Sequence, residues 1–233
     1  MISVVIPTYN EKDNIGILID NIEAVFKKNK LSGEIIIVDD NSPDGTGDVI
    51  NNRNKKYENV RLITRNERGV GTAHYLGYKK SNGDLVIAMD SDLSHDPEQI
   101  PEFIKKIGEG YDIVIGSRHI KGSRYEKVAR KTFLKYLTSR IGNILSTTIS
   151  GVKIHDFTNG YRAIRKEVIN QSSYPDSNGN AFLMEFIVKA HKRGFRITEI
   201  PTTFKDRVAG KSKLKLGRQA GLYFLKLLKY KFS

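Results

Sequence analysis

The sequence contains no cysteine among its 233 residues. The protein therefore has neither disulfide bonds nor thiolate metal ligands, which suits a reducing compartment. Long apolar runs are also missing, since the longest stretch without a charged residue, 141–152, has 12 residues and is too short to span a bilayer. Residues 1–5 lack the basic segment of a secretory signal. We expect a protein that is soluble or only peripherally attached to a membrane.

No linker rich in Pro, Gly or Ser, no repeat and no low-complexity segment divides the chain. Its length and a hydrophobic content of 39% are sufficient for one α/β domain with a sizeable core. The formal net charge of +13 implies an anionic partner, such as a diphosphate, a lipid phosphate, an acidic membrane surface or nucleic acid. Composition alone leaves these partners open.

Three short apolar runs each lead into a polar, turn-forming loop. The runs are residues 2–6, 34–38 and 85–89, and the loops that follow are 7–11, 39–46 and 90–93. Buried strands that alternate with helical patterns indicate βαβ units, and the carboxyl ends of parallel strands meet at one edge, where ligands bind. We therefore predict an α/β fold with a mostly parallel central sheet flanked by helices. Further helices are predicted near 69–81, 97–108, 131–148 and 182–193, and further strands near 112–116, 161–164 and 196–204.

Asp90 and Asp92 place two carboxylates one residue apart at the end of a strand. Hard divalent cations such as Mg²⁺ or Mn²⁺ prefer oxygen ligands of this kind and leave room for substrate phosphates. A single Asp-x-Asp is weak evidence, because about one is expected by chance in a chain of this size, and a loop such as Asn-Ser-Pro-Asp-Gly is by itself an ordinary turn. Three such loops at one sheet edge favour a nucleotide and metal site.

A basic protein that binds nucleic acid without catalysis is the hypothesis from a different class. It accounts for the positive charge but gives the three acidic loops no role. The sequence also lacks a recognised nucleic-acid motif and a stripe of interleaved aromatic and basic side chains. We therefore expect no nucleic-acid partner.

The acidic loops and the segments that follow them resemble a known family. The motifs are Pro7-Thr-Tyr-Asn-Glu11, Val38-Asp-Asp-Asn-Ser-Pro-Asp-Gly-Thr46, Gly69-Val-Gly-Thr-Ala73, Met89-Asp-Ser-Asp-Leu93, Ile115-Gly-Ser-Arg118, Asn159-Gly-Tyr-Arg162 and Asp206-Arg-Val-Ala-Gly-Lys-Ser-Lys-Leu214. As an ordered set they resemble the inverting GT-A glycosyltransferases of family 2, and within it the dolichol-phosphate mannosyltransferases, over nearly the whole chain. The resemblance implies a GT-A, Rossmann-like fold. It also implies metal-dependent transfer of mannose from GDP-mannose to dolichyl or polyprenyl phosphate, with inversion.

The resemblance implies a role for each matching residue that binds a substrate. The nucleotide base and ribose would be held by Pro7, Tyr9, Glu11, Asp39 and Asp40. The donor diphosphate would be bound by Arg207 and Lys213. The acceptor phosphate would be bound by two residues that we count as catalytic, Arg118 and Arg130.

The resemblance also implies a metal site with Mg²⁺ or Mn²⁺ held by Asp90 and Asp92. Asp92 is counted as catalytic because the metal would neutralise the leaving diphosphate. Ser94 stands where the family often has a metal-coordinating Gln. Its hydroxyl is shorter, so a water or His95 would complete the coordination.

Two other enzyme hypotheses are compatible with the same motifs and fold. A polyprenyl-phosphate glycosyltransferase would use UDP-glucose or another nucleotide sugar in place of GDP-mannose. A polysaccharide-building member of the family would deprotonate a sugar hydroxyl with a carboxylate, for which Asp156 is the nearest candidate. A phosphate acceptor needs counter-charge rather than a strong base, because its second pKa is about 6. The pair Arg118 and Arg130 therefore favours a phosphate acceptor.

We divide the chain into a GT-A catalytic domain, residues 1–215, and an amphipathic carboxyl-terminal helix, residues 216–233. In helical form the second segment places Gln219, Lys226 and Lys229 beside a wide apolar arc, as in helices that lie in a membrane interface. Docking of this helix onto the domain explains the arc equally well.

The helix predicted at 131–148 has few charges in its later half. Its residues Ile141, Ile144 and Leu145, and Ile149 just beyond, are predicted to pack in the core, with a face toward lipid as the alternative. The implied polyprenyl acceptor resides in a membrane, and the sequence shows no span of its own. We therefore expect a cytoplasmic enzyme that is peripheral on the cytoplasmic face of a membrane, held by the lipid surface or by a small membrane partner protein.

Overall fold

The computed structural model describes residues 1–126, 130–177, 179, 181–205, 226, 227 and 229, with the backbone alone at 125, 126, 130–139, 204 and 205. The strands in these parts of the chain are β1 (Ile2–Thr8), β2 (Gly33–Asp39), β3 (Val60–Thr64), β4 (Leu85–Ala88), β5 (Ile113–Ser117), β6 (Arg124–Glu126), β7 (Arg162–Arg165), β8 (Ile197–Pro201) and β9 (Thr203–Lys205). The helices are α1 (Lys12–Lys28), α2 (Thr46–Lys56), α3 (Val70–Lys80), α4 (Ile100–Gly108), α5 (Arg130–Ser150), α6 (Lys166–Gln171) and α7 (Ala181–Lys192), and a 3₁₀ turn at Pro97–Gln99 precedes α4.

Seven strands form one sheet in the order β3-β2-β1-β4-β7-β5-β8. Its neighbouring strands are parallel except that β7 runs antiparallel to β4 and to β5. The chain builds outward from β1 to β3 and then crosses to β4 on the other side of β1, so the carboxyl ends of β1 and β4 form a topological switch point. The predicted α/β fold with a mostly parallel sheet is confirmed, and the antiparallel β7 is an addition to it.

Helices cover both faces of the sheet because successive side chains of a buried strand point to opposite faces. Val4 and Ile6 belong to the buried cluster that contains the apolar side of α1, whereas Val5 belongs to the cluster that contains Tyr78 of α3 and Phe186 of α7. Burial on both faces fixes the strands. The loops at their carboxyl ends are left to carry the chemistry.

The helices predicted near 69–81, 97–108, 131–148 and 182–193 are confirmed as α3, α4, α5 and α7, with ends that differ by a few residues. The strand predicted near 196–204 is interrupted at Thr202 and divides into β8 and β9. β8 joins the large sheet, whereas β9 pairs with β6 in a separate two-stranded sheet.

Helix α5 exposes apolar side chains to solvent. Ile141, Ile144 and Leu145 are 53%, 57% and 43% exposed, and we call these three residues the apolar face of α5. The prediction that they pack in the core is wrong. It is confirmed for Ile149, which packs against the core from a partly buried position.

The side of α5 that points inward is polar, which explains this reversal. Asn143 and Ser146 are at most 2% exposed. Asn143 Oδ1 accepts a hydrogen bond from the Phe157 N–H at 3.0 Å, and a buried backbone donor of this kind requires a polar partner. None of the helices in the described parts of the chain is both long and apolar enough to cross a membrane.

Leu227 connects the carboxyl-terminal segment to the core. It is 1% exposed and belongs to the same buried cluster as Phe186. Leu227→Ala should lower the free energy of unfolding by about 2–5 kcal/mol, because the truncation removes apolar contacts and leaves a cavity. Urea denaturation followed by circular dichroism measures the change. Leu145→Ala, at a position 43% exposed, is the control, and an equally small effect at both positions would show that Leu227 does not support the fold.

Candidate active site

The loops that follow β1, β2 and β4 begin side by side at the carboxyl edge of the sheet. Thr8 at the end of β1 pairs with Asp39 at the end of β2, and the Asp40 N–H donates to the Thr8 carbonyl at 3.0 Å. On the other side of β1, the Met89 N–H donates to the Val5 carbonyl at 3.1 Å. The prediction that the three acidic loops share one edge is confirmed.

Asp90, Asp92 and Ser94 lie on one short loop after β4. The Asp90 side chain is 41% exposed, whereas Asp92 is 5% and Ser94 is 1% exposed. The Ser94 N–H donates to Asp92 Oδ1 at 3.2 Å, which fixes that side chain against its own loop. Leu93 has a positive φ of 63°, which is strained for leucine, and its side chain packs partly buried against the core.

Two features of this loop suit a bound divalent cation. Ser94 Oγ is buried and makes no hydrogen bond to the described residues, an arrangement that is unfavourable unless a ligand supplies the partner. The side-chain donors are oxygens, which Mg²⁺ and Mn²⁺ prefer. Within the described residues, no three His, Cys, Asp or Glu side chains are arranged to hold a metal. Substrate oxygens and water would therefore complete the coordination.

His95 supports this loop from within the protein. The Asp90 N–H donates to His95 Nδ1 at 3.1 Å, so the neutral ring carries its proton on Nε2. That nitrogen donates to Asn159 Oδ1 at 2.9 Å. Because both ring nitrogens are hydrogen-bonded and His95 is 2% exposed, the ring does not replace the Gln that the family often carries.

The two carboxylates that follow β2 are hydrogen-bonded to neighbouring loops. Ser42 donates to Asp39 from its N–H at 2.8 Å and from its Oγ at 2.5 Å. Arg65 Nε donates to Asp40 Oδ1 at 2.6 Å, and the Gly69 N–H donates to Asp40 Oδ2 at 2.9 Å. Asp40 therefore braces the glycine loop that begins α3, a role that the sequence did not reveal.

Pro7, Tyr9 and Glu11 lie at the transition from β1 to α1. Pro7 is within β1 and Glu11 is the residue that precedes the first turn of α1. Arg68, which the sequence analysis missed, stacks its guanidinium 4.2 Å from the centre of the Tyr9 ring and donates from Nη2 to the Tyr9 hydroxyl. This contact places a positive charge beside the predicted nucleotide site. The signal in the sequence is a basic residue directly before Gly69-Val-Gly71.

A second polar cluster lies at the same edge of the sheet, beside the end of β5. Asp156 is fully buried, and Arg118 donates to it from Nε at 2.7 Å, from Nη2 at 2.9 Å and from its backbone N–H at 3.1 Å. Burial by itself raises the pKa of the Asp156 carboxyl, but the charge and hydrogen bonds of Arg118 outweigh it and hold that pKa well below its ordinary value. An ionised carboxylate with so low a pKa is a poor general base.

Arg162 and Asn159 are buried residues to which the sequence assigned no separate role. Arg162 is 1% exposed and donates to three carbonyls, from Nε to Asn159 at 2.7 Å, from Nη2 to Phe157 at 2.7 Å and from Nη1 to Leu183 at 2.6 Å. These bonds hold the segment before β7 against α7. The signal was the motif Asn159-Gly-Tyr-Arg162, but the contact with α7 could not be inferred from it, because Leu183 is 21 residues from Arg162.

Three of the predicted phosphate-binding side chains lie outside the described residues. Arg130 is the first residue of α5, but its side chain is not among those described. Arg207 and Lys213 fall in the part of the chain that the structure does not describe. Their assignment to the acceptor phosphate and to the donor diphosphate stays a prediction. Of the four predicted phosphate-binding residues, Arg118 is the one whose side chain the structure describes.

Solved structures of glucosyl-3-phosphoglycerate synthase from Mycobacterium tuberculosis share this architecture. The structural alignment with the complex of that enzyme with Mn²⁺ and UDP-glucose covers 100% of this chain and 79% of the enzyme's chain, with a TM-score of 0.74 and 21% sequence identity. At this identity the likeness shows the fold alone. The mostly parallel sheet with helices on both faces and acidic loops at its switch point is the GT-A fold of glycosyltransferases.

The profile of glycosyl transferase family 2 matches residues 3–172, and the chain belongs to that family. It is 39% identical over 218 residues to dolichol-phosphate mannosyltransferase from Pyrococcus furiosus, an alignment that covers 92% of this chain and 59% of the relative. It is 33% identical over 218 residues to polyprenol monophosphomannose synthase from Mycolicibacterium smegmatis, with 91% and 80% covered. The chain thus spans well under two thirds of the length of the Pyrococcus relative.

Proposed function

We propose that the protein transfers mannose from GDP-mannose to dolichyl phosphate or a related polyprenyl phosphate, with inversion and with Mg²⁺ or Mn²⁺ as cofactor. The observation that carries this proposal is the presence of two sites at one sheet edge, the oxygen-rich loop 90–94 and the Arg118–Asp156 pair. The first suits a metal-bound diphosphate, and the second provides a fixed cation nearby. The mannosyl group and the lipid phosphate are supported by the names of the Pyrococcus and Mycolicibacterium relatives.

The groups that would hold the metal are Asp90, Asp92 and the Ser94 hydroxyl. When bound, the cation supplies positive charge that neutralises the departing diphosphate. The Ser94 N–H holds Asp92 in place, so this carboxylate needs little reorganisation during the reaction. Arg207 and Lys213 are assigned to the diphosphate as a bidentate fork and a point charge. The nucleoside is assigned to the loops after β1 and β2, with Pro7, Tyr9, Glu11, Asp39 and Asp40.

The state of Asp156 favours a phosphate acceptor over a sugar hydroxyl. A sugar hydroxyl requires a general base, whereas the Asp156 carboxylate is buried and accepts hydrogen bonds from Arg118 on both oxygens. A phosphate monoester is largely dianionic near neutral pH, because its second pKa is about 6, and it needs counter-charge instead. We assign this counter-charge to Arg118, which Asp156 holds in one orientation, and to Arg130.

An assay with a panel of nucleotide sugars tests the donor and the acceptor together. UDP-glucose is the alternative donor, since the Mycobacterium tuberculosis enzyme of the same fold was crystallised with it and Mn²⁺. We expect lipid-linked mannose from GDP-mannose, polyprenyl phosphate and metal, and no lipid product from UDP-glucose. Transfer from UDP-glucose would reassign the donor. Thermal stabilisation by oligonucleotides, and not by nucleotide sugar with metal, would overturn the proposal.

We assign membrane contact to the apolar face of α5, next to a catalytic domain of residues 1–215. In the carboxyl-terminal segment 216–233, Leu227 packs in the core and Lys226 donates to Ser177 Oγ at 2.6 Å, which favours docking onto the domain over contact with lipid. The apolar face of α5 follows the exposed Arg140, and apolar side chains next to a cation suit an anionic bilayer surface. Because the polyprenyl chain keeps the acceptor phosphate at a membrane, the enzyme must work there. We place it on the cytoplasmic face, bound to lipid or to a small membrane partner protein.

Replacing Ile141 and Ile144 together by Gln should weaken binding to anionic liposomes by about tenfold or more, because both side chains would lose their burial in the bilayer. The melting temperature should not fall, since the two side chains are 53% and 57% exposed. Liposome flotation measures the binding. Ile17→Gln on α1, at a position 50% exposed, is the matched control and should bind like the wild type. Equal flotation of the double variant would show that α5 does not touch the membrane.

A further inference from the structure

The loop with the metal-binding oxygens and the loop with Arg118 follow strands that are not neighbours. β7 lies between β4 and β5, and since adjacent strands are about 4.8 Å apart, the two loops begin about 10 Å from each other. In the proposed reaction the donor carbon and the acceptor oxygen must approach to about 3 Å. Beyond the strand ends, contacts between the loops must hold them at the required separation.

The side-chain amide of Asn159 joins the two loops. Its Oδ1 accepts a hydrogen bond from His95 Nε2 at 2.9 Å, while Nδ1 of the same ring accepts the Asp90 N–H at 3.1 Å. On the other side, Asn159 Nδ2 donates to the Gly116 carbonyl, two residues before Arg118. His95 and Asn159 are each 2% exposed, so solvent competes little for these hydrogen bonds.

The ring of His95 is held in one orientation by Tyr161. The two rings are stacked with centroids 4.9 Å apart and an angle of 16° between their planes. The Tyr161 hydroxyl donates to the carbonyl of Asp96 at 2.8 Å. The residue next to His95 is therefore fixed as well, and the ring cannot turn away from Asn159 without breaking these contacts.

The backbone around Asn159 lies against Asp90 and against Asp156, the partner of Arg118. The Asn159 N–H donates to Asp156 Oδ1 at 3.1 Å, the carboxylate that orients Arg118. The next residue is glycine, and a Cβ atom at Gly160 would lie 2.6 Å from Asp90 Oδ1. The same short segment thus contacts Asp90 on the metal loop and the partner of Arg118.

We propose that His95 and Asn159 are positioning residues that set the distance between the metal-bound donor and the acceptor phosphate. This inference rests on the proposed function and deepens it. His95 orients the Asp90 backbone, and Asn159 connects that backbone to the end of β5. Because a misplacement of about 1 Å can cost about 10²-fold in rate, the connection should act on the rate of transfer and hardly on the binding of either substrate.

Two substitutions at His95 separate its two hydrogen bonds. His95→Asn keeps an acceptor near the Nδ1 position for the Asp90 N–H but is too short to reach Asn159. His95→Gln keeps a donor near the Nε2 position for Asn159 but has no acceptor at the Nδ1 position. Calorimetric titration with GDP-mannose and Mn²⁺ should give His95→Asn a Kd within about threefold of the wild type. Two rates are measured besides, the transfer of mannose to polyprenyl phosphate and the hydrolysis of GDP-mannose by water. Transfer needs both loops, whereas hydrolysis needs the metal loop alone.

His95→Asn should lower kcat for transfer by about 30-fold, with each KM within about threefold of the wild type and hydrolysis retained. His95→Gln breaks the same connection at its Asp90 end and should also lower transfer. Because it removes the acceptor of the Asp90 N–H on the loop that hydrolysis needs, it should lower hydrolysis as well. A parallel loss of transfer and hydrolysis in His95→Asn, or normal transfer in His95→Gln, would overturn the proposal. A merely structural role lowers both reactions together, and a connection that sets a distance must be intact at both ends.

Tyr161→Phe provides a milder test in case His95→Asn does not fold. It removes the hydroxyl that binds Asp96 and keeps the ring stacked on His95. The ratio of transfer to hydrolysis should fall by about threefold, and an unchanged ratio would contradict the positioning role. A wild-type protein that turns over no nucleotide sugar would instead overturn the proposed function, and this inference would fall with it.

Discussion

Asp92→Asn should keep the fold and lose nearly all sugar transfer. The side chain lies on a loop at the sheet edge, and Asn retains an oxygen that can accept the Ser94 N–H. Removing its charge from the metal and the diphosphate should raise the activation free energy by roughly 3 kcal/mol, or about 10²-fold in rate. Steady-state assays with and without a chelator measure the rate, and circular-dichroism melts measure the stability.

Asp84→Asn is the matched control, because Asp84 lies at the opposite end of β4. Its side chain is 93% exposed and pairs with the amino terminus at 3.1 Å, and exposed pairs of this kind contribute little. This variant should transfer mannose like the wild type. A near-normal rate in Asp92→Asn, together with activity that a chelator leaves unchanged, would exclude a metal site on loop 90–94.

Arg118→Ala should lower the free energy of unfolding by about 3–5 kcal/mol at neutral pH, because it leaves the buried Asp156 carboxylate without its counter-charge. It should also weaken the use of polyprenyl phosphate far more than the binding of GDP-mannose, since the diphosphate has other partners in our assignment. Urea denaturation measures the first effect. Calorimetric titration with GDP-mannose and initial rates at varied acceptor concentration measure the second.

The stability difference between Arg118→Ala and the wild type should depend on pH. In the wild type the pKa of Asp156 is held well below its ordinary value, so this carboxylate stabilises the fold above about pH 4 and loses that contribution as the pH falls toward the folded-state pKa. Without Arg118, burial raises the pKa, so the carboxyl takes up a proton as the pH falls and the penalty decreases. The difference should therefore be largest at neutral pH and narrow toward about pH 4.

Arg53→Ala is the matched control for Arg118→Ala. Arg53 also donates to a carboxylate, that of Asp20, but the two side chains are 31% and 33% exposed. Its replacement should cost about 1 kcal/mol or less, because solvent screens the pair and can solvate the remaining carboxylate. If Arg118→Ala and Arg53→Ala cost the same, the Asp156 pair has no special importance for the fold.

The parts of the fold that could be predicted from the sequence are those with local signals. The strands β1, β2 and β4 are apolar runs that end in acidic turns, and their position at one sheet edge follows from parallel βαβ connections. β7 could not be predicted as antiparallel, because its four residues Arg162–Arg165 contain two arginines and no alternating pattern. Its place between β4 and β5 depends on contacts with both strands.

The candidate site was predictable in its chemistry and not in its hydrogen bonds. The spacing of Asp90 and Asp92 predicts oxygen ligands. The hydrogen bonds, however, join distant residues: Gly69 and Asp40 are 29 residues apart in the chain, and Arg118 and Asp156 are 38 apart. The apolar face of α5 raises the same difficulty. Its pattern identifies an apolar side, but the polar cluster around Asp156 decides that this side points outward.

Leu93 orders loop 90–94 in a way that does not depend on a bound ligand. Glycine would adopt its left-handed backbone, with a φ of 63°, with less strain, but glycine has no side chain to pack against the core as Leu93 does. The loop therefore carries backbone strain on the order of 1 kcal/mol. In return, the packed Leu93 side chain holds it against the core. Few conformations would be lost on binding of the cation and nucleotide that we propose for this loop, so little conformational entropy would oppose their binding.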